Sequence, residues 1–437
     1  MQYISTNKKA EPVGFKQAII RGLASDQGLF MPQNIPVSDL LRNDLQGADK
    51  VEIAFAMMRP FVQTIISDTA LRNIVEETFC FELPLKQISP KMWSLELFHG
   101  PTLAFKDVGA RFLARCLQHL LPKGERITIL VATSGDTGSA VAQGFSGVEQ
   151  VEVVLLYPSG KVSNIQEQQL TTAGNNVTAL QVQGDFDDCQ RLVKEAFKDD
   201  HLRNQFPITS ANSINIARWL PQSVYYAVGV SQLPGSLADE KLKTACSVPS
   251  GNYGNLTAGI LAAKMGAPID HFIAASNINK TVPEFIKTGT YTPKASKETL
   301  SNAMDVGDPS NFARLCHLYN HNYEAIVREV SGYSYTDEQT LSAIKEGFNQ
   351  FEYTFDPHAA IGYLGLKDFL ADQTSTNWRG IILETAHPSK FHETVSLATG
   401  CELAMPERLR TCLDKESHSI ALEPHYADFK EYLLSRV

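Results

Sequence analysis

The sequence predicts an α/β protein: two open parallel-sheet domains facing each other across a cleft, preceded by a mostly helical N-terminal segment. Three observations carry this expectation. From residue 126 the chain alternates strand-like and helix-like runs, the alternation resumes near residue 244, and nothing like it occurs in the first part of the chain. In order, "FKQAIIRGLASDQGLFMPQNIP" reads as a helix ending in a Gly/Pro-rich turn, and "KVEIAFAMMRPFVQTII" as a second helix that Pro60 kinks. "RITILVA" is a buried strand, "TSGDTG" a turn and "SAVAQGF" the start of a helix. "VEVVLLY" is followed by the helical "SNIQEQQLTTAG", and "NVTALQV" by "DFDDCQRLVKEAFKD", whose leading Asp residues suit a helix N-terminus. A long helical stretch, "NIARWLPQSVYYAVGV", precedes the second series, which begins with "TACSVPSGNYGNLTAGILAAKMG" and "HFIAASN". The expected division is 1–93 for the N-terminal domain, 94–220 for a smaller α/β domain and 221–437 for a larger one.

Length and composition narrow the function. A chain of 437 residues with 43% hydrophobic and 20% charged residues exceeds a single core and has the make-up of a globular enzyme. No apolar run reaches the roughly 20 residues of a membrane helix, and the N-terminus lacks the features of a targeting peptide, so the cytoplasm is the expected compartment. Seven widely spaced cysteines form neither a disulfide framework nor a zinc pattern. A net charge of −9 without a basic run argues against nucleic acid or an anionic membrane as partner. A small anionic ligand stays open, and monomer and homodimer are both compatible with the chain.

Several turns fall just past strand ends, where open parallel sheets bind ligands. "TSGDTGSA" (133–140) and "SGNYGN" (250–255) each follow a strand and open a helix, as anion sites do. Each taken alone is also an ordinary tight turn, and neither is a dinucleotide or Walker motif. Thr385 in "LETAHPSKF" sits at the end of the strand-like "GIIL", where a buried threonine bonding backbone is equally ordinary. His387 beside it has no partner at metal-ligand spacing, so no metal is expected. GxSxG is absent, which argues against a serine hydrolase of that kind. Lys106 in "GPTLAFKDVG" follows an apolar run, a place where lysines commonly snorkel.

The set is more informative than its members. A lysine on an apolar shoulder, two glycine turns at helix starts and a strand-end threonine are what pyridoxal phosphate requires: an amine for its aldehyde, amides for its phosphate and a hydrogen-bonding partner for its ring nitrogen. Desolvation near an aromatic ring would also make the neutral amine of Lys106 accessible.

"HGPTLAFKD", "TSGDTGSA", "PSGNYGN" and "MDVGDPSNFAR", in that order, together with the opening "YISTNKKAEPVGFKQAIIRGLASDQGLFMP", resemble the threonine synthases of the tryptophan-synthase-β-like, fold type II class of pyridoxal phosphate enzymes. The resemblance runs from Tyr3 to the "TAHPSKF" region. It implies that Lys106 forms the Schiff base and carries protons, that Gly251, Asn252, Tyr253, Gly254 and Asn255 hold the cofactor phosphate, and that Thr385 bonds the pyridine nitrogen. Ser134, Gly135, Asp136 and Thr137 would receive the substrate carboxylate and lie beside the cofactor's 3-hydroxyl. Many members of the wider class carry Asn at the place of Asp136, and a carboxylate there would repel the substrate's. Lys161, Ser213 and Arg218, with Asn252, would form the substrate-phosphate pocket. The implied reaction turns O-phospho-L-homoserine and water into L-threonine and phosphate. The alternative is a related phospho-lyase that releases a 2-oxo acid. A serine or threonine dehydratase has no use for the phosphate pocket, and a catalytically silent binding protein none for Lys106. The turn-rich segment 290–312 is compatible with a mobile element over the cleft, its state left open by the sequence.

Overall fold

The computed structural model describes every residue except Ser134, Phe206, Ser236, 238–241, Ser375, Thr376 and Val437. Its strands in chain order are β1 (Tyr3–Ser5), β2 (Phe30–Pro32), β3 (Leu85–Ser89), β4 (Met92–Glu96), β5 (Ile127–Ala132), β6 (Val151–Pro158), β7 (Val177–Val182), β8 (Ile208–Ser210), β9 (Lys243–Pro249), β10 (His271–Ser276), β11 (Val330–Ser334), β12 (Trp378–Glu384) and β13 (Ile420–Leu422). They form a five-stranded parallel sheet in the order β13-β7-β6-β5-β8 and a six-stranded sheet in the order β11-β10-β9-β12-β4-β3, parallel except at its β3 edge. A β1–β2 ribbon belongs to the N-terminal segment. β5, β6 and β10 are near-continuous apolar runs and β9 is buried along all but its first residue, the signature of strands covered on both faces by helices.

The expected helices form where their end signals stand. Gly22 stops Phe15–Arg21 with a positive φ. Ser163 and Gln166 make a reciprocal capping box at the start of Asn164–Thr171, and Asp185 and Asp188 make another at Phe186–Lys198. The stretch 215–230 is not one helix. It breaks into Ile216–Trp219, a 3-10 turn at Leu220–Gln222 and Ser223–Ser231, because Pro221 offers no N–H and crowds the preceding turn.

The sheets do not respect the contiguous division read from the sequence. A boundary at 93/94 falls inside β4, which pairs with β12 in the register Trp93↔Ile381 and so belongs to the larger sheet. The C-terminal β13 crosses back to pair with β7. β4 shields one side of β12, the strand that ends just before Thr385, and β9 shields the other. The N-terminal segment docks through Ile19, whose carbonyl accepts from Thr209 Oγ1 (3.1 Å) and Asn215 Nδ2 (2.9 Å). Asn215 also caps the helix bearing Arg218. Among the described residues no helix is long and apolar enough to cross a membrane.

His271, at the start of β10, is buried with its ring stacked on Phe369 (4.7 Å between centroids) and edge-on to Trp378. Burial pushes its pKa from 6.5 to about 4. The folded state therefore favours neutral imidazole, a contribution complete above pH 6.5 and lost as pH falls through about 4. Chemical denaturation between these pH values should show a stability loss on the order of 3 kcal/mol from this residue, and His271→Phe should flatten that part of the profile.

Candidate active site

The site begins with backbone. Past the end of β12, residues 385–387 run antiparallel to residues 103–105: Phe105 N donates to Thr385 O (2.8 Å), His387 N donates to Leu103 O (3.0 Å), and Ala104 bridges Ala386. Leu97 N donates to Glu384 O (3.0 Å), closing the other end of the loop. Lys106, the first residue of the helix Lys106–Leu120, is thereby held next to Thr385. The loop is shaped by its own side chains. Asp107 accepts from Thr102 N (2.9 Å) and Thr102 Oγ1 (2.6 Å), and a Cβ on Gly100 would lie 2.4 Å from Asp107 Oδ2. Leu103 accepts a φ of +57° to make the turn, and the Tyr225 hydroxyl donates to Phe105 O.

Lys106 is half-buried, with its Nζ 5.9 Å from the centroid of the Phe105 ring. Desolvation lowers its pKa to about 8; Asp136 opposes this, while the cations of Lys390 and Arg218 add to it. Arg218 is buried beneath the same helix, its Nη1 on Ala211 O and its Nε without a hydrogen-bond partner. Gly109 makes room for it, since a Cβ there would come within 2.9 Å of that Nε. Burial lowers the Arg218 pKa to about 10.

The turn after β5 is built around Thr133. Its Oγ1 accepts from Gly135 N (3.0 Å) and Gly138 N (2.8 Å). Gly135 has a φ of +140°, and a Cβ there would sit 2.4 Å from the Gln166 side chain, so only glycine fits. Asp136 opens the helix Asp136–Phe145, with Thr137 half-buried beside it; Ser134 lies outside the described residues. The Asp136 carboxylate is buried and paired with Lys390 Nζ at 2.6 Å, and it accepts from Gln166 Nε2 at 3.2 Å. Burial alone would raise its pKa, but Lys390 and Lys106 outweigh that and hold it well below the usual carboxylate range. Lys390 also donates to Thr102 O (3.0 Å). His387 accepts from Ser389 N at Nδ1 and packs edge-on to Phe98, and burial lowers its pKa to about 4.

The turn after β9 carries the third group. Tyr253 adopts a φ of +60°, which turns the backbone into the helix Gly254–Lys264 while its buried hydroxyl bonds Ser276 Oγ (2.6 Å). The first N–H groups of that helix have no intrahelical acceptor and face the turn's mouth. Asn255 is committed to the turn itself, donating to Pro249 O and accepting from Leu256 N. Asn252 Nδ2 donates to Ser213 Oγ (2.7 Å), and Asn252 Oδ1 accepts from Ser310 N (2.7 Å). Ser213 is further held by Asn311 Nδ2 (3.2 Å) and, at its carbonyl, by Arg314 Nη1 (2.7 Å). Segment 290–312 thus packs on this turn, with Met304 Cα only 2.6 Å from where a Gly251 Cβ would be.

The structure brings Lys106, Thr385 and Asp136 together, joins Ser213 to Asn252, and buries Arg218 under Lys106. Lys161 stays apart, exposed on the turn after β6, with none of its side-chain contacts reaching Ser213, Asn252 or Arg218 among the described residues. Sequence reading missed Lys390, Gln166 and the roles of Asn311 and Arg314. The last two stand in "MDVGDPSNFAR", whose polar ending was the available signal; nothing in the sequence pairs Lys390 with Asp136. Gly251→Ala should weaken retention of pyridoxal phosphate and cost about 1–3 kcal/mol of stability, because backbone at 303–304 must move. Equilibrium dialysis and denaturation of the same variant check both halves.

The donor set suits pyridoxal phosphate. A lysine with lowered proton affinity, a strand-end hydroxyl at Thr385 and a helix-start turn with no space for a Cβ at Gly251 meet at the carboxyl ends of β4, β5, β9 and β12. Comparison with known proteins agrees. Residues 74–381 match the family model described as pyridoxal-phosphate dependent enzyme, 2–79 the threonine synthase N terminus and 359–433 the threonine synthase C-terminal region. Threonine synthase of Escherichia coli is 41% identical over 97% of both chains. Its crystal structure superposes with a TM-score of 0.91 at 40% identity, covering 100% of both chains. The pyridoxal-phosphate-bound threonine synthase of Brucella melitensis gives 0.90 at 34% identity, covering 99% of this chain and 98% of that one. The chain belongs to the threonine synthase family of pyridoxal-phosphate-dependent enzymes.

Proposed function

We propose that the protein converts O-phospho-L-homoserine and water into L-threonine and inorganic phosphate. The observation that carries this reading is the placing of Lys106 between Thr385 and Asp136, with a pKa of about 8, in a chain related to threonine synthases along its whole length. Bound at this site, pyridoxal phosphate supplies an electron sink for the bonds around the substrate's Cα.

The residues then divide the work. Lys106, as a free amine, takes the proton from Cα and returns one later in the sequence; a pKa near 8 leaves enough neutral amine for the first and enough ammonium for the second. Thr385 offers the ring nitrogen a neutral hydroxyl. The helix-start amides of residues 251–255 would hold the cofactor phosphate, and Asn252 and Ser213, already bonded to each other, would border the substrate-phosphate pocket. Arg218 brings a buried guanidinium to that pocket, where low dielectric strengthens its hold on the departing phosphate. Lys161 joins it only by swinging inward from its exposed turn. Residues 134–137 receive the substrate carboxylate at a helix N-terminus. Arg314 is scaffolding: its guanidinium is committed to Ser213 O, Ile214 O and Asn311 Oδ1 and lies over the Trp219 ring.

Purified protein given pyridoxal phosphate and O-phospho-L-homoserine should release phosphate and threonine in equal amounts. Phosphate with 2-oxobutyrate in place of threonine would move the protein to the lyase reading. Lys106→Ala should abolish turnover and the visible colour while leaving the far-UV circular dichroism unchanged. With Lys106 charged below about pH 8 and neutral above it, the rate at which apoprotein captures pyridoxal phosphate should climb with pH and level off above that value, as stopped-flow absorbance would record.

A further inference from the structure

Asp136 poses a problem within this reading. A carboxylate on the turn that receives a substrate carboxylate should repel it, and Lys390 bears directly on that conflict. Its ammonium is completely buried, 2.6 Å from Asp136 Oδ1 and 3.0 Å from Thr102 O. Both side chains are buried, so solvent screens the pair less than it would a surface pair. Thr102 is in turn fastened to Asp107, the residue after Lys106, and Lys390 itself stands five residues past Thr385. One ammonium therefore touches both the substrate turn and the loop that presents the reactive lysine.

We propose that Lys390 is a positioning residue for the reaction: by cancelling the charge of Asp136 from behind, it lets the 134–137 turn accept an anionic carboxylate beside Lys106 while Asp136 keeps its hydrogen-bonding oxygens. The inference rests on the proposed carboxylate-binding role of that turn. A lone aspartate there would exclude the substrate, and an unpaired Lys390 would be a buried cation without compensation. Together they form a neutral unit that an asparagine could replace. The charged and titratable groups around the pair are Lys106 and His358 on the side of Asp136, and Asp107 and His387 on the side of Lys390. His358 Nδ1 is itself tied to Asp356 at 2.5 Å.

The test uses holoenzyme carrying Lys390→Met, Asp136→Asn or both. Lys390→Met should raise KM for O-phospho-L-homoserine about a hundredfold, with a smaller change in kcat. Adding Asp136→Asn should restore KM to near that of the unmodified protein, a recovery that a purely structural lysine would not produce. Without substrate, the pH at which the bound cofactor's visible absorbance titrates should rise in Lys390→Met, because an unopposed Asp136 favours the protonated form, and fall back in the double variant. An unchanged KM in Lys390→Met, or a double variant as impaired as Lys390→Met, overturns the proposal. If Lys390→Met fails to fold, the double variant decides: a KM near that of the unmodified protein supports it, and a large loss overturns it. If even the unmodified protein releases no phosphate, the substrate reading fails separately. The substrate-free titration then decides the charge coupling, with an upward shift supporting it and no shift overturning it.

Discussion

Everything at the site hangs on a short antiparallel exchange of backbone hydrogen bonds between residues 103–105 and 385–387. Lys106 and Thr385 belong to distant parts of the sequence, and side-chain packing alone would not fix their separation to the tolerance that a shared cofactor needs. Backbone bonds do. The exchange requires β12 to end at Glu384 and the 97–106 loop to return along it, and both ends of that loop are fastened, by Leu97 on Glu384 and by His387 on Leu103. Its geometry strains Leu103 into positive φ, a cost held in place by Asp107, Thr102 and the Tyr225 hydroxyl.

This constraint also sets the electrostatics. A helix that begins at Lys106 places its first residues among Asp136, Lys390 and Arg218, all buried. Desolvation is the largest influence on Lys106, and the cations that add to it are offset by one carboxylate. Removing Asp136 or Lys390 would leave its partner uncompensated in a medium that penalises isolated charge. Arg218 shows the same economy of space: it lies where Gly109 lacks a side chain, so the helix that displays Lys106 also admits the guanidinium beneath it.

The fold was largely legible because its signals are local. Apolar strands, helix caps at Ser163 and Asp185, and glycine turns past strand ends depend on neighbours within a few residues. What escaped depends on distant partners. β3, β4 and β13 are short, and their membership of a sheet is settled by β12 and β7, so a contiguous division of the chain missed them. The same holds at the site. Lys106, Thr385 and the two glycine turns each carry a local signature, and motif order tied them together. Lys390 follows a strand end like any turn lysine, and only the folded chain sets it against Asp136. Ser213 and Asn252 were named as pocket residues, but their mutual bond and their dependence on Asn311 and Arg314 arise from segment 290–312 folding onto the turn.

The Lys390–Asp136 pair has one more property that follows from topology. Lys390 sits in the 3-10 turn Pro388–Phe391 that follows β12 of the six-stranded sheet, and Asp136 follows β5 of the five-stranded one, so the pair joins segments carried by the two sheets. Lys161 stands exposed on the turn after β6, and the bond from Asn252, after β9, to Ser213, after β8, is a second link between the two sheets. Breaking the buried ion pair from one side is costly, so the pair fixes the turn after β5 against the segment after β12.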